Sequence, residues 1–521
     1  MRFPYKAVSA VPPARTLLIV LALLAWNAGA AHATWSIVVA DTSTGEVGVA
    51  SATCLLNFDL KKGAGVIVVG KGAAQAQASG DPGMNRKTIT EGLQQGLSAA
   101  EILALLKQTD PHLEDHQYGI AVPGKGSVTF TGDKTWAYTN GVAGTCGTLV
   151  YAIQGNVLTG EPVILVAEKL LLETPGDLSQ KLMAAMHGAQ SLGGDGRCSC
   201  NPGDPDGCGA PPIKKKKKKE KPWKSAHVAY MVVARIGDTD GVFNPTDGFA
   251  NGNYYLDLNV IENSPTDPVD VLQGLFDDFR AAHAGHADHL RSEKAVFPDK
   301  IPADGASSAV LMIQLADLEG NLLTHGGAAV TVTHAPGSAG AAWIGAVQDH
   351  GDGTYTVPLR AGTQPGTDRF LVRVNDGLGR VTLYPFPELE VTSVELSADA
   401  TVISAAAGDP VTFTLAGGPS LAGRLYLLLG TASGTAPGVF PGGVHVPLNP
   451  DLFTGLLLRW TGTAVLPGGL GVLDGAGGAQ VTFDPPAGAL APFAGMRLHF
   501  TWITLQPLDF AATPRSVGVT P

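Results

Sequence analysis

The chain has 521 residues, with 35 Lys and Arg against 46 Asp and Glu and a formal charge of −11. Its 45% hydrophobic content supplies packed cores and excludes wholesale disorder, while the acidic balance denies nucleic-acid phosphates a general basic face. Charged residues at 16%, against a usual ~25%, together with 67 Gly and 36 Pro, suit turn-rich β domains of an exported protein.

The first 33 residues read as a signal peptide. Arg2, Lys6 and Arg15 form a positive leader, residues 17–26 are an apolar run, and Ala31-His32-Ala33 puts small residues at the −3 and −1 positions of a cleavage site. The run is short for a membrane span, which disfavours an uncleaved anchor. Export to the periplasm, the cell surface or the medium is therefore expected. Cleavage after Ala33 would make Thr34 the first residue, with a free α-amino group beside its hydroxyl.

From Thr34 the pattern predicts a hairpin, with strands over 35–40 and 47–53 joined by a Gly-containing turn. A further strand covers 65–70. Ser98 and Glu101 form a capping box that opens a helix ending near Asp110-Pro111. Strands follow at 118–122, 127–131 and 149–154, then helical patterns over 161–173 and 177–190. Strands at 226–235 and 254–261 precede a helix from about Asp267 to Leu290, capped by Asp267 with Pro268 at its first position. Strand pairs alternating with helix pairs imply sheets covered by helices. Residues 198–224 interrupt this pattern with Cys198, Cys200, Cys208 and the lysine run Lys214 to Lys219. They read as a solvated insert, the run offering a contact for an acidic partner or the cell surface. After about Phe297 helical patterns vanish, and alternating β patterns with turn signals predict two sandwiches. The expected domains are 34–295, 296–393 and 394–521.

The stretch from Thr34 to about Leu290 resembles domain of unknown function 1028, a bacterial family placed among the N-terminal-nucleophile hydrolases. Its pieces stand in order: Thr34-Trp35-Ser36-Ile37-Val38, residues 45–51, residues 70–78, Gln154-Gly155-Asn156, residues 193–197, residues 256–260 and Asp267-Pro268. The resemblance implies a four-layer αββα sandwich, hence an α+β fold class with two all-β sandwich domains behind it. It also implies that the threonine is exposed by processing. Two departures stand out: the family's Thr-Gln pair is Ala76-Gln77 here, and the link after Gly193-Gly194-Asp195 is replaced by the insert. Residues 297–393 are similar, more loosely, to the immunoglobulin-like repeats of bacterial surface adhesins through residues 317–321 and 352–355. The last module looks like a β-sandwich tail of exported bacterial proteins.

An N-terminal threonine carries its own base, since an α-amino group of pKa about 7.7–8.0 is partly neutral at physiological pH. It can take the Oγ proton during attack on an amide and return it to the leaving amine. Thr34 is the expected nucleophile and base. Gln77 and Asn156 follow strands and are candidates to hold the oxyanion, alongside backbone N–H groups at Gly155 or near Gly72. By analogy with proteasome subunits, Ser51 stands near the place of an acidic residue and Lys62, beside Lys61, near that of a lysine. The acid is missing, so that arrangement is incomplete. Asp195 and Arg197 either form a structural ion pair under the sheet, the favoured reading, or line the site.

Five cysteines in an exported chain imply disulfides with one thiol left over. Cys208 closes a small ring within the insert in one reading, and Cys54 with Cys146 is a further pairing, the connectivity staying open. His283, His286 and His289 recur every three residues beside Asp288, but that spacing drifts round a helix, so solvated histidines are preferred to a metal site. Asp238, Asp240, Asn244 and Asp247 lack EF-hand spacing. No cofactor, metal site or nucleic-acid partner is expected. Two functions remain: an exported amidohydrolase acting on a small amide or peptide, and a non-catalytic surface interaction protein on the same scaffold.

Overall fold

The computed structural model describes residues 34–200, 208–213, 223–303, 307–362, 364–392 and 395–521. Residues 1–33, read above as a signal peptide, and the lysine run lie outside the described residues. The chain forms two compact units. Of the described residues, one unit comprises those up to Glu293 with Gln314–Val330 and Arg373–Pro385, and the other those within Lys294–Ile313, Thr331–Val372 and Phe386–Pro521. Among the described residues, no helix is long and apolar enough to cross a membrane.

The first unit combines sheets and helices. Strands β1 (Thr34–Asp41), β2 (Val47–Thr53), β7 (Asn140–Cys146), β8 (Leu149–Asn156), β9 (Val228–Ala234) and β10 (Leu256–Val260) make a sheet ordered β10-β9-β2-β1-β8-β7. Every neighbouring pair is antiparallel. A second antiparallel sheet runs β3 (Gly65–Val68), β4 (Gly72–Gln77), β5 (Gln117–Val122), β6 (Gly126–Thr131).

Three cores lie on these sheets. Trp35, Ile37 and Val39 of β1 pack with helices α4 (Pro162–Glu173), α5 (Leu178–Ser191) and α7 (Pro268–His283). Val38 and Ala40 point the other way and meet Ile67, Ala73 and Ala121 of the second sheet. The far face of that sheet, through Val66, Ala74 and Ile120, packs on Ile89 and Leu93 of α2 (Met84–Gln95) and Ile102 and Leu106 of α3 (Ala99–Thr109). Because both faces of β1 are covered, its middle is a continuous apolar run rather than an alternating one.

Several expectations change in detail. The helix expected to reach Leu290 stops at His283, followed by Gly285 at φ 74°. Strand β7 and helix α2 carry too few apolar residues to stand out in the sequence; α2 buries Ile89 and Leu93 and little else that is apolar. Short helices α1 (Leu60–Ala64) and α6 (Gly196–Ser199) and a two-stranded sheet of Thr239–Asp240 and Gly252–Asn253 also belong to the unit.

The second unit is built almost wholly of strands that alternate as the sequence predicts. Thr354–Arg360 buries Tyr355, Val357 and Leu359 and turns the residues between them outward. Toward the C-terminus, a sheet of Leu396–Ala398, Val411–Ala416 and Gly478–Phe483 and a five-stranded sheet containing Leu425–Thr431 and Arg497–Leu505 share an aromatic core. Phe413, Phe453, Phe483, Phe500 and Trp502 are fully buried there. The Phe453 and Phe500 rings meet edge to face at 5.7 Å, a preferred geometry for aromatic pairs.

One helix, α8 (Leu452–Trp460), departs from the all-β expectation. Asp451 starts it by accepting from the Thr454 N–H at 3.0 Å, and it also accepts from the Ala432 N–H at 2.7 Å and the Ser433 hydroxyl at 2.8 Å. Burial raises the Asp451 carboxyl, but these bonds and that from Thr431 outweigh it and hold the pKa down to about 2. A depressed folded-state pKa stabilises above the unfolded value and is lost as pH falls through the folded one. Asp451→Ala is expected to cost about 1–2 kcal/mol near neutrality. Urea unfolding should show the gap narrowing as pH falls from 4 toward 2; a gap independent of pH would contradict this role.

Candidate functional site

Successive residues of β1 face opposite ways, so Thr34 and Ser36 share the inter-sheet face with Val38 and Ala40. The register sets Thr34 opposite Thr53 on β2 and Asn156 on β8, and Ser36 opposite Ser51 and Gln154. Gln75 and Gln77 of β4 and Gln117 of β5 join them from the other sheet. The space between the sheets is thus apolar at one end and polar at the end where β1 starts.

All these side chains are buried, so their polar atoms need partners inside the protein. Gln77 Nε2 donates to the Thr34 carbonyl at 3.0 Å and to Gln117 Oε1 at 2.8 Å, while the Ser36 hydroxyl donates to Gln77 Oε1 at 2.8 Å. Gln154 Nε2 donates to Ser36 Oγ, and Gln75 Nε2 to Ser51 Oγ at 3.1 Å. The Thr34 main-chain nitrogen donates to Asn156 Oδ1 at 3.1 Å. Thr34 itself is 1% exposed and lines a cavity of about 200 Å³ with Leu55, Phe58, Ala76, Gln77 and Arg86.

Thr34, Gln77 and Asn156 are therefore brought together. Both amide protons of Gln77 are committed, so it fixes the Thr34 main chain rather than offering a donor to an oxyanion. Ala78 at φ 79° and Val157 at φ 52° directly follow Gln77 and Asn156. Left-handed backbone costs a non-glycine residue of order 1–3 kcal/mol, and such residues cluster at functional sites. Here both flank the amides that hold Thr34.

Other candidates stand apart. Ser51 lies one pleat deeper, its hydroxyl donating to the Trp35 carbonyl at 2.7 Å. Lys62 is exposed, because α1 buries Leu60 and Ala64 and turns its lysines outward; Lys61 pairs with Asp257 at 2.7 Å. The cation at the cavity is instead Arg86, buried and paired with Asp81 at 2.9 Å. Its sequence signal was the turn Asp81-Pro82-Gly83 before α2, which passes for ordinary capping. Gly72 begins β4 at the end opposite Gln77, too far along the strand to serve Thr34.

Asp195 and Arg197 form the expected ion pair, at 2.8 Å. Asp195 is fully buried and also accepts from the Cys54 N–H at 2.9 Å, while Arg197 reaches Thr53 Oγ1 at 3.3 Å. Burial pushes the Asp195 carboxyl up against the pull of Arg197. Gly194, at φ 53°, leaves room for the Trp35 indole, since a Cβ there would stand 2.7 Å from Trp35 Nε1.

The disulfides join Cys54 to Cys198 and Cys200 to Cys208. The second closes the expected ring, but the Cys54–Cys146 pairing is corrected. Cys54 follows β2 beside α6, whereas Cys146 ends the edge strand β7 as an exposed thiol. His227 lies beside the Cys54–Cys198 bond, its Nδ1 3.0 Å from the Cys54 carbonyl. His283, His286 and His289 share no helical face, because α7 ends at His283. They line a second cavity of about 220 Å³, where His286 meets Asp376 at 3.2 Å and Asp288 pairs with Arg235 at 2.7 Å. Asp238 accepts from the Arg235 and Tyr255 N–H groups, Asp240 from that of Val69, and Asp247 from the Asn244 amide, so these oxygens bond to the protein's own main chain and side chains.

Residues 34–200 match the model of a family described as a family of unknown function, DUF1028. Residues 288–383 match the model of invasin, domain 3. Among solved structures, the chain is similar to protein SPO2555 from Silicibacter pomeroyi, of the DUF1028 family model, at 16% identity over 47% of this chain and 88% of that one, with a TM-score of 0.34. It is similar to the Yersinia pseudotuberculosis adhesin InvE at 18% identity over 44% and 58% (TM-score 0.17). It is also similar to the Escherichia coli adhesin FdeC at 16% over 56% and 74% (TM-score 0.20). No curated protein matches it.

The polar stratum makes a packing prediction. A Cβ on Gly119 would lie 2.1 Å from Gln154 Oε1. Gly119→Ala should therefore destabilise the protein by about 1–3 kcal/mol, and adding Gln154→Ala should recover part of that loss in a double-mutant melting cycle. Additive losses would contradict the contact.

Proposed function

We propose that the first unit is an exported amidohydrolase of the N-terminal-nucleophile type, with the αββα layering of that class, in which removal of residues 1–33 makes Thr34 nucleophile and base. The observation that carries this reading is the position of Thr34. Its nitrogen is bonded to Asn156, its carbonyl is held by Gln77, and its side chain is buried beside a cavity. The three cores around two facing sheets support the layering.

A neutral α-amine has two N–H bonds and one lone pair. Donation of one N–H to Asn156 Oδ1 would orient the nitrogen and leave its lone pair for the Oγ proton. Oγ would then attack the amide carbonyl carbon, forming an ester as the C–N bond breaks and the proton passes to the leaving amine. Water would hydrolyse the ester by the same proton route. Gln77 and Asn156 act as positioning residues in this scheme, and misplacement by 1 Å costs on the order of a hundredfold.

A second reading is favoured by the match of residues 288–383 to invasin domain 3: a surface interaction protein that keeps the scaffold without turnover. The β modules would then be the working part, and the hydrolase-like unit a rigid base. A surface or exported location is common to both readings, and the Lys214–Lys219 run is a contact for acidic groups in either.

N-terminal sequencing of the exported protein is expected to begin at Thr34. In an amide-hydrolysis screen, Thr34→Ala should lower turnover by on the order of a thousandfold or more, and Asn156→Ala by about 10–100-fold. Turnover should fall as pH drops through the amine pKa, about 7.7–8.0 in an unperturbed chain, because the protonated amine has no lone pair. Equal turnover by wild type and Thr34→Ala would reject the enzyme reading.

A further inference from the structure

The cavity at Thr34 has two unlike walls. Leu55, Phe58, Leu60, Ala76 and Ala78 supply hydrocarbon, and Arg86 and Asp81 supply charge. The charged wall is closed on itself. Asp81 accepts from Arg86 Nε at 2.9 Å and from the N–H groups of Gly83, Asn85 and Arg86 at 2.9, 3.3 and 3.2 Å. Arg86 donates further to the Asp81 carbonyl at 3.0 Å and to the Lys62 carbonyl, and its guanidinium lies 5.2 Å from the Phe249 ring centroid. The two side chains are 4% and 1% exposed.

One positive and one negative group thus cancel out of contact with water. A charged side chain entering the cavity would lose its hydration and find no unpaired counter-charge, which is unfavourable for either sign. Hydrocarbon would meet the apolar wall and gain by leaving water. Size sets a second limit. About 200 Å³ is below the ~300–1,000 Å³ of pockets that enclose whole drug-sized ligands. It suits one side chain.

We infer that this cavity is the subsite for the acyl-side residue of the cleaved amide, and that it selects an uncharged, largely hydrocarbon side chain of about leucine to phenylalanine size. The inference rests on the acyl-transfer reading above. In that reaction the attacked carbonyl carbon is bonded to the carbon that bears this side chain. The side chain must therefore lie in the space adjoining Thr34. Ala78 keeps that space open, adding only a methyl group to the wall.

The test uses the mature protein and β-lactone probes that differ only in the substituent beside the carbonyl: methyl, isobutyl, benzyl, carboxyethyl or aminobutyl. Oγ attacks the lactone carbonyl, the ring C–O bond breaks, the released alkoxide takes the Oγ proton, and the whole probe stays on Thr34 as an ester. Peptide mass spectrometry locates the adduct and times its formation. The isobutyl and benzyl probes are expected to label Thr34 at least about tenfold faster than the two charged ones. Ala78→Leu should lower the isobutyl-to-methyl rate ratio by about tenfold or more, and Phe58→Trp, a change on the opposite side of the hydrocarbon wall if the first fails to fold, should lower it by less. Fastest labelling by the carboxyethyl probe would show Arg86 uncancelled and overturn the inference while leaving Thr34 as nucleophile. An unchanged ratio in a folded Ala78 or Phe58 variant would also overturn it. Failure of every probe to label a chain that begins at Thr34 would overturn both the inference and the reading beneath it.

Discussion

Burying amides between two sheets is the constraint on which the rest of the first unit depends. Gln77, Gln117, Gln154 and Asn156 are almost inaccessible to solvent, and each polar atom left without a partner there would be costly. Their answer is to bond one another, Ser36, and the main chain of Thr34. Gln154 Oε1 is the one atom of these four amides left without a partner among the described residues, and the bonds that are made hold the members in one geometry. Thr34 is placed by that demand, through its nitrogen and its carbonyl. Satisfying the stratum and presenting a fixed threonine are the same structural act.

Further elements brace this arrangement from behind. Asp195 ties the residue after β2 to α6, and Arg197 reaches Thr53, the strand partner of Thr34. The Cys54–Cys198 disulfide spans the same junction, with its Cα atoms 5.8 Å apart. Gly119 and Gly194 mark places where a side chain from β8 or β1 needs the room a Cβ would fill. The residues that look like a scattered motif in the sequence, from the Gly193-Gly194-Asp195 turn to Gln154-Gly155-Asn156, converge around one end of β1.

Much of this was legible beforehand because β1, β2, β8 and β9 are long apolar runs, and because Ser98 and Glu101 mark the start of α3. What stayed hidden has physical causes. Strand β7 reads Asn140-Gly141-Val142-Ala143-Gly144-Thr145-Cys146, without the bulky residues that signal a strand, and it lies exposed at a sheet edge. The extended helical reading of residues 284–290 failed because polar spacing alone cannot show where backbone hydrogen bonding stops. Lys62 was placed by analogy of order along the chain, whereas a five-residue helix turns it to solvent. Arg86 was missed because a buried arginine and an exposed one look alike until their partners are known. Helix α8 was masked by Gly- and Pro-rich surroundings, although Asp451 and Thr454 carry a capping signal in retrospect. Disulfide connectivity depends on which loop ends meet in space, and spacing along the chain does not encode that.

The proposed chemistry requires that, after processing, a threonine amine stay anchored inside the fold. A crystal structure of the mature protein tests this most directly. Thr34 is expected as the first ordered residue, paired opposite Thr53 and Asn156, with its amine within hydrogen-bond reach of Asn156 Oδ1 and its carbonyl on Gln77. A terminus that has left the sheet, with its nitrogen in bulk solvent and the amides of Gln77 and Asn156 bonded elsewhere, would contradict it.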